Sequence, residues 1–135
     1  MINNLFGGTT VGVLEQVVNF SQERHGVLAG NIANLDTPGY KTRDLSPEHF
    51  QANLRKAIEA QRGERSPGHA GGGGIRDFDD VRESLKSILF HDGSDVSLER
   101  QISEISKNHG QHNLAINLMA AQFRLLEAAI SERAV

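Results

Sequence analysis

The stretch "NIANLDTPGYKTRDL", Asn31 to Leu45, decides how the chain is read. A helix-like run enters it and a basic, extended segment leaves it. Pro38 fixes its own φ and pushes Thr37 out of the α region. Gly39, directly after it, supplies a positive φ, so Thr37–Tyr40 reads as a type II turn. The preceding helix must therefore stop near Asn34 or Leu35. Lys41 and Arg43 leave the corner toward solvent or an acidic partner.

Upstream, residues 9 to 35 carry Val13, Leu14, Val17, Val18, Leu28, Ile32 and Leu35 in helical steps. Thr9 or Thr10 suits the N-cap. Gly12, Gly26 and Gly30 each cost about 1 kcal/mol relative to Ala inside a helix. This helix needs a partner to hold it.

Downstream, Ser46 can cap, Pro47 suits a first helical position and Glu48 sits in the first turn. Phe50, Leu54, Ala57 and Ile58 then form one stripe of a short helix that ends at Gly63. Residues 63–74, "GERSPGHAGGGG", have linker composition. Phe78, Val81, Leu85, Ile88 and Leu89 suit a helix, whereas "SILF" at 87–90 also suits a short strand.

The last third is the most periodic. After Ser97 as a cap come Leu98, Ile102, Ile105, His109, His112, Ile116, Met119, Phe123, Leu126 and Ile130, in steps of four and three. That is a heptad seam. A helix reaching Arg133 spans about 50 Å at 1.5 Å per residue. It must pack along the N-terminal helix, along other molecules, or both. Leu14, Val17 and Leu28 are the N-terminal positions expected to join it. Apolar groups off the stripe, such as Leu118 and Leu125, stay exposed until another molecule covers them.

Composition narrows the function. Aromatics are 5% of 135 residues, with no Trp and one Tyr, which disfavours a large self-sufficient core. The net charge is −3 and the 14 basic residues are scattered, so there is no nucleic-acid footprint. The absence of Cys excludes disulfides and thiol chemistry. "MINNLFGGTTVGVLEQ" has no basic region followed by a continuous apolar one, so no cleaved secretory signal is expected. No apolar run is expected to reach membrane-span length.

Catalytic and metal readings are weak. His109 and His112 are three apart on one helix, but no ligand on that face completes a set, and Glu104 and Asn108 lie off the seam. Both histidines read as polar seam positions. His25, His49, His69 and His91 read as surface residues. Asp77, Asp79 and Asp80 lack the EF-hand pattern and read as helix N-terminal charge. The four-glycine run has no Lys-Ser/Thr after it, and the acceptor triplet at Asn19 lies inside a helix. No G-x-S-x-G elbow occurs. No catalytic, cofactor-binding or metal residue is expected. The rival functions are a small non-polymerising coiled-coil adaptor or export chaperone, and a metal-dependent enzyme built on His109 and His112.

The segment "LAGNIANLDTPGYKTRDL", Leu28 to Leu45, resembles the N-terminal signature of bacterial flagellar axial proteins. The matching positions are Asn31, Ile32, Ala33, Asn34, Thr37, Pro38, Gly39, Tyr40 and Lys41, with Gly30 where Ala or Ser is more usual. The short chain leaves no room for the β domains of hook and distal rod subunits, so the likeness is to the basal-body rod proteins, nearest the proximal subunits. "DGSDVSLERQISEI", Asp92 to Ile105, resembles the segment before the family's last helix, with Ser94 for Asn and Gln101 for Glu.

The resemblance implies an all-α fold: an antiparallel hairpin or coiled coil of the terminal helices, a flexible central segment, and completion by polymerisation. It divides the chain into 1–45 (helix and turn), 46–91 (short helix and Gly-rich centre) and 92–135 (heptad helix). The implied partners are further copies, other rod subunits, membrane-ring and rod-base adaptor proteins, and the flagellar type III export apparatus. The implied location is the rod that crosses the periplasm, reached without a cleaved signal, and no cofactor is implied.

Overall fold

The computed structural model describes residues 10–64, 81, 89–92 and 97–132. It is mainly helical, in the order α1 (Thr10–Ala33), β1 (Thr42–Leu45), α2 (Pro47–Glu64), β2 (Leu89–Asp92) and α3 (Leu98–Glu132). The expected helix at Phe78–Leu89, the Gly-rich run after Glu64 and the Asp77, Asp79, Asp80 cluster lie largely or wholly outside the described residues.

The local rules hold where they were specific. Ser46 caps α2: its Oγ accepts from the His49 N–H at 3.3 Å and donates to Glu48 Oε2 at 2.9 Å. Ser97 caps α3, its Oγ accepting from the Arg100 N–H at 3.4 Å. At the corner, the Tyr40 N–H donates to the Thr37 carbonyl at 3.1 Å, and Gly39 takes φ +76°. These are the closing bond and the positive φ of a type II turn.

An all-α reading omits one feature. The chain leaving the corner is a strand, and β1 pairs antiparallel with β2, from Thr42 opposite Asp92 to Leu45 opposite Leu89. The 87–90 segment was ambiguous because so short an apolar run shows no period. Leu89 and Phe90 lie in β2, a strand made by the pairing that β1 offers. Residues 41–45 carry only Leu45 as an apolar group and give no strand pattern of their own.

A small core joins Phe20 of α1, Leu45 of β1, Phe50, Leu54 and Ala57 of α2, and Val81. The Phe20 and Phe50 rings stack with centroids 4.2 Å apart and planes 7° from parallel. The α2 stripe read from the sequence is thus packed against α1, with Ile58 partly buried at its edge.

The long helix departs from expectation more deeply. Gln101, Asn108 and Ala115, seven residues apart, are its buried positions. Across from them lie Asn31, Arg24 and Ser21 of α1, joined to α3 by hydrogen bonds that run in opposite order along the two helices. Leu98, Ile102, Ile116, Phe123, Leu126 and Ile130 are exposed, as are Leu114, Leu118 and Leu125. Glu104 and Asn108, placed off the seam by the sequence reading, are on the face that meets α1. Periodicity found a true apolar stripe but could not say which side of the helix would meet α1.

With 35 residues against 24, α3 outruns the start of α1 at Thr10 by about 16 Å. Between Leu98 and Ser131 it is also long and apolar enough, by length and composition, to cross a membrane. That corrects the expectation drawn from unbroken apolar runs, because polar residues interrupt this one. Its polar face is engaged by α1, so the apolar groups do not form a full girdle.

Candidate functional site: the corner and the two helix faces

Asn31 is the centre of the corner. Its side chain is 1% exposed. Its Oδ1 accepts from the Arg43 N–H at 3.1 Å and from the Tyr40 hydroxyl at 3.1 Å. Its Nδ2 donates to the Arg43 carbonyl at 2.6 Å and to Gln101 Oε1 at 3.3 Å. One amide thus satisfies both main-chain groups of Arg43, as a neighbouring strand would, and reaches α3 as well. Only a side chain carrying both donor and acceptor can do this. Asn34 finishes α1: its Nδ2 donates to the Gly30 carbonyl at 2.8 Å, and its Oδ1 accepts from Thr37 Oγ1 at 3.4 Å.

The nine signature positions therefore divide. Asn31, Asn34 and Tyr40 are held inward by hydrogen bonds, and Ile32 is half-buried. Ala33, Thr37, Pro38, Gly39 and Lys41 are exposed. Of the seam positions, Leu28 is buried, and Leu14, Val17, Ile105 and Met119 are half-buried. The other six, all on α3, are exposed.

Next to Asn31, one turn-pair down, lies a charge network absent from the sequence reading. Arg24, only 4% exposed, donates from Nε to Asp44 Oδ1 at 2.8 Å and from Nη2 to Asp44 Oδ2 at 2.7 Å. The same Nη2 donates to Glu104 Oε2 at 2.9 Å, and Lys107 donates to Glu104 Oε1 at 3.0 Å. Burial works against the Arg24 charge, but its hydrogen bonds to Asp44 and Glu104 outweigh that and hold it above its ordinary value. Glu104 is held below the usual carboxylate range, first by Lys107 and then by Arg24. A bidentate arginine links three elements here: α1, β1 and α3. Nothing local marks Arg24 or Asp44, which meet only when the corner folds back along α1.

Between α1 and α3, Ser21, Gln22, His25, Asn108, His109 and His112 border a cleft of about 380 Å³. Asn108 donates to the Ser21 carbonyl at 2.7 Å. Its Oδ1 and His112 Nδ1 are buried with no hydrogen-bond partner among the described residues. His25 and His109 are exposed, and His109 Nε2 lies 3.2 Å from Asn113 Nδ2. Among the described residues, no three His, Cys, Asp or Glu side chains come together as a metal-holding group.

Comparison with known proteins points one way. The family model described as "Flagella basal body rod protein" matches residues 21–41, from the buried Ser21 through the corner. The flagellar basal body rod protein FlgB of Aquifex aeolicus is 30% identical over 135 residues, covering 97% of this chain and 98% of that protein. FlgB of Bacillus subtilis is 23% identical, covering 95% of this chain and 97% of its own. FlgB of Escherichia coli is 25% identical, covering 82% and 84%. The likeness extends well past the corner into both long helices. The chain belongs to the FlgB family of flagellar basal-body rod proteins.

Proposed function

We propose that this chain is a subunit of the proximal rod, which assembles helically around an axis and transmits torque as part of the drive shaft. The observation that carries the reading is the apolar stripe of α3. Ile102 is 50% exposed, Ile116 43% and Ile130 71%, in one helical row along α3. Contiguous apolar surface of this kind marks an interaction site. At about 25 cal/mol per Å² of apolar area, a row of such side chains supplies several kcal/mol when covered. Ordering costs reduce that gain for a single contact. Repeated contacts around a tube restore it.

In this reading 1–45 and 92–135 supply the long helices, and 46–91 joins them. The partners are further copies, other rod subunits, ring and rod-base adaptor proteins, and the type III export apparatus that carries the chain without a cleaved signal. The side chains have no catalytic role. The "TPGY" corner sets the angle between inner helix and outer strand. The chain is placed in the basal body, at its membrane-proximal end.

The test is complementation of a strain lacking this protein, with purification of basal bodies. Recovery of the wild-type chain in the rod, and loss of rods with Ile116→Asp or Phe123→Asp, supports assembly through the stripe. A non-polymerising adaptor or export chaperone would leave the chain absent from purified basal bodies.

A further inference from the structure

We propose that Gln101, Glu104 and Asn108 are positioning residues that fix the register of α3 on α1. They thereby fix the height at which α3 presents its outward apolar stripe to a neighbouring chain. The second half of this proposal rests on the assembly reading above; the first half does not.

Three polar side chains of α3 tie it to α1 by hydrogen bonds. Gln101 meets Asn31, Glu104 meets Arg24, and Asn108 meets the Ser21 carbonyl. Apolar seams tolerate sliding, because one aliphatic side chain replaces another at little cost. Paired polar side chains, here Gln101 with Asn31 and Glu104 with Arg24, do not, since each partner must find its own. A seven-residue slip one way would set Glu104 beside Val17 and Asn108 beside Leu14. The opposite slip would set Glu104 beside Asn31 and Asn108 beside Leu28. Either leaves a carboxylate without Arg24, and sets Asn108, whose partner is a main-chain carbonyl, against a side chain larger than that of Ser21.

These residues do not earn their place by stability. Asn108 Oδ1 has no partner among the described residues, a standing cost. Removing the three side chains would orphan little. Asn31 Nδ2 would keep the Arg43 carbonyl, Arg24 would keep both oxygens of Asp44, and the Ser21 carbonyl is an ordinary helix acceptor. An apolar seam should therefore fold at least as well and be less unique. The register matters because the stripe, the corner and β1 sit on different elements. A heptad slip moves the stripe about 10 Å relative to the corner, which no neighbouring chain could match.

The experiment compares the wild-type chain with the variant Q101L/E104L/N108L, and with N108L alone in case the triple variant misfolds. The chain has no Cys, so spin labels at Glu15→Cys and Ser103→Cys, both at exposed positions, report the register by electron-electron distance measurement. The wild type should give one narrow distance. The triple variant should keep its helical circular dichroism and an equal or higher Tm, yet add a population displaced by about 10 Å. N108L should broaden the distribution partially, and the conservative N108Q should restore it. A single unshifted distance in both apolar variants would overturn the register assignment, whatever happens in cells. A displaced population with normal swimming would overturn the link to assembly. Failure of the rod reading itself shows separately, as absence of the wild-type chain from basal bodies.

Discussion

Asn31 closes on Arg43 from both sides, accepting from its N–H at 3.1 Å and donating to its carbonyl at 2.6 Å. Asn31→Ala leaves both groups, and the Tyr40 hydroxyl, without this partner. Each buried unsatisfied group costs about 1–3 kcal/mol, less where water reaches it. A loss of about 2–3 kcal/mol is expected, read as a lower urea midpoint by circular dichroism. Asn31→Asp keeps the acceptor but not the donor, and should fall between. A midpoint unchanged in both variants would remove Asn31 from the centre of the corner.

The φ of +76° at Gly39 makes a second test. A side chain there is strained by about 1–2 kcal/mol, although the space around it is open. Gly39→Val should lower the Tm and impair swimming. Pro38→Ala, which only loosens a φ the turn already favours, should have the milder effect on the fold. Normal motility with Gly39→Val would mean the corner angle is not critical.

The Arg24 network gives a pH dependence with a definite sign. Glu104 has its folded pKa held below its ordinary value of 4.5. The unfolded chain therefore binds more protons between those two values, and stability falls as pH falls through that window. Thermal melts should show Tm dropping as pH goes from 6 toward 3, and Glu104→Gln should flatten part of the drop. Because Glu104 is partly exposed, the contribution is about 1 kcal/mol or less. An undiminished slope in the variant would assign the dependence to other carboxylates.

Position on α3 separates folding from assembly. Ile116 and Ile130 are exposed, so their replacement by Asp should change monomer stability by no more than about 0.5 kcal/mol. Ala115 is 3% exposed against α1. Ala115→Asp buries an unpaired charge and should unfold or separate the helices. The expected pattern is two folded, non-assembling variants and one unfolded variant. Equal loss of helicity in all three would show that the stripe belongs to the fold.

Much of this was legible in the residues. Pro38 and Gly39 dictate backbone geometry, so the turn was readable without neighbours. Ser46 and Ser97 mark helix starts through bonds made within three residues. The apolar heptad of α3 is plain in the sequence as a pattern. Its phase against α1 was not readable, because the partner face is polar and small: Gln101, Asn108 and Ala115 give no hydrophobic signal. Arg24 and Asp44, 20 positions apart, carry no signal either, since charged residues are ordinarily solvated.

The sequence by itself determined the local parts: where α1 stops, how the chain turns, where α2 and α3 begin, and that α3 is apolar along one side. Only the tertiary structure decided which side of α3 faces inward. It also decided that the segment after the turn becomes a strand, and that Asn31 and Arg24 bind that strand to two helices. The physical reason is range. Dihedral limits and capping act over a few residues, whereas hydrogen-bond and charge partners are chosen by whatever the folded chain brings within about 3 Å.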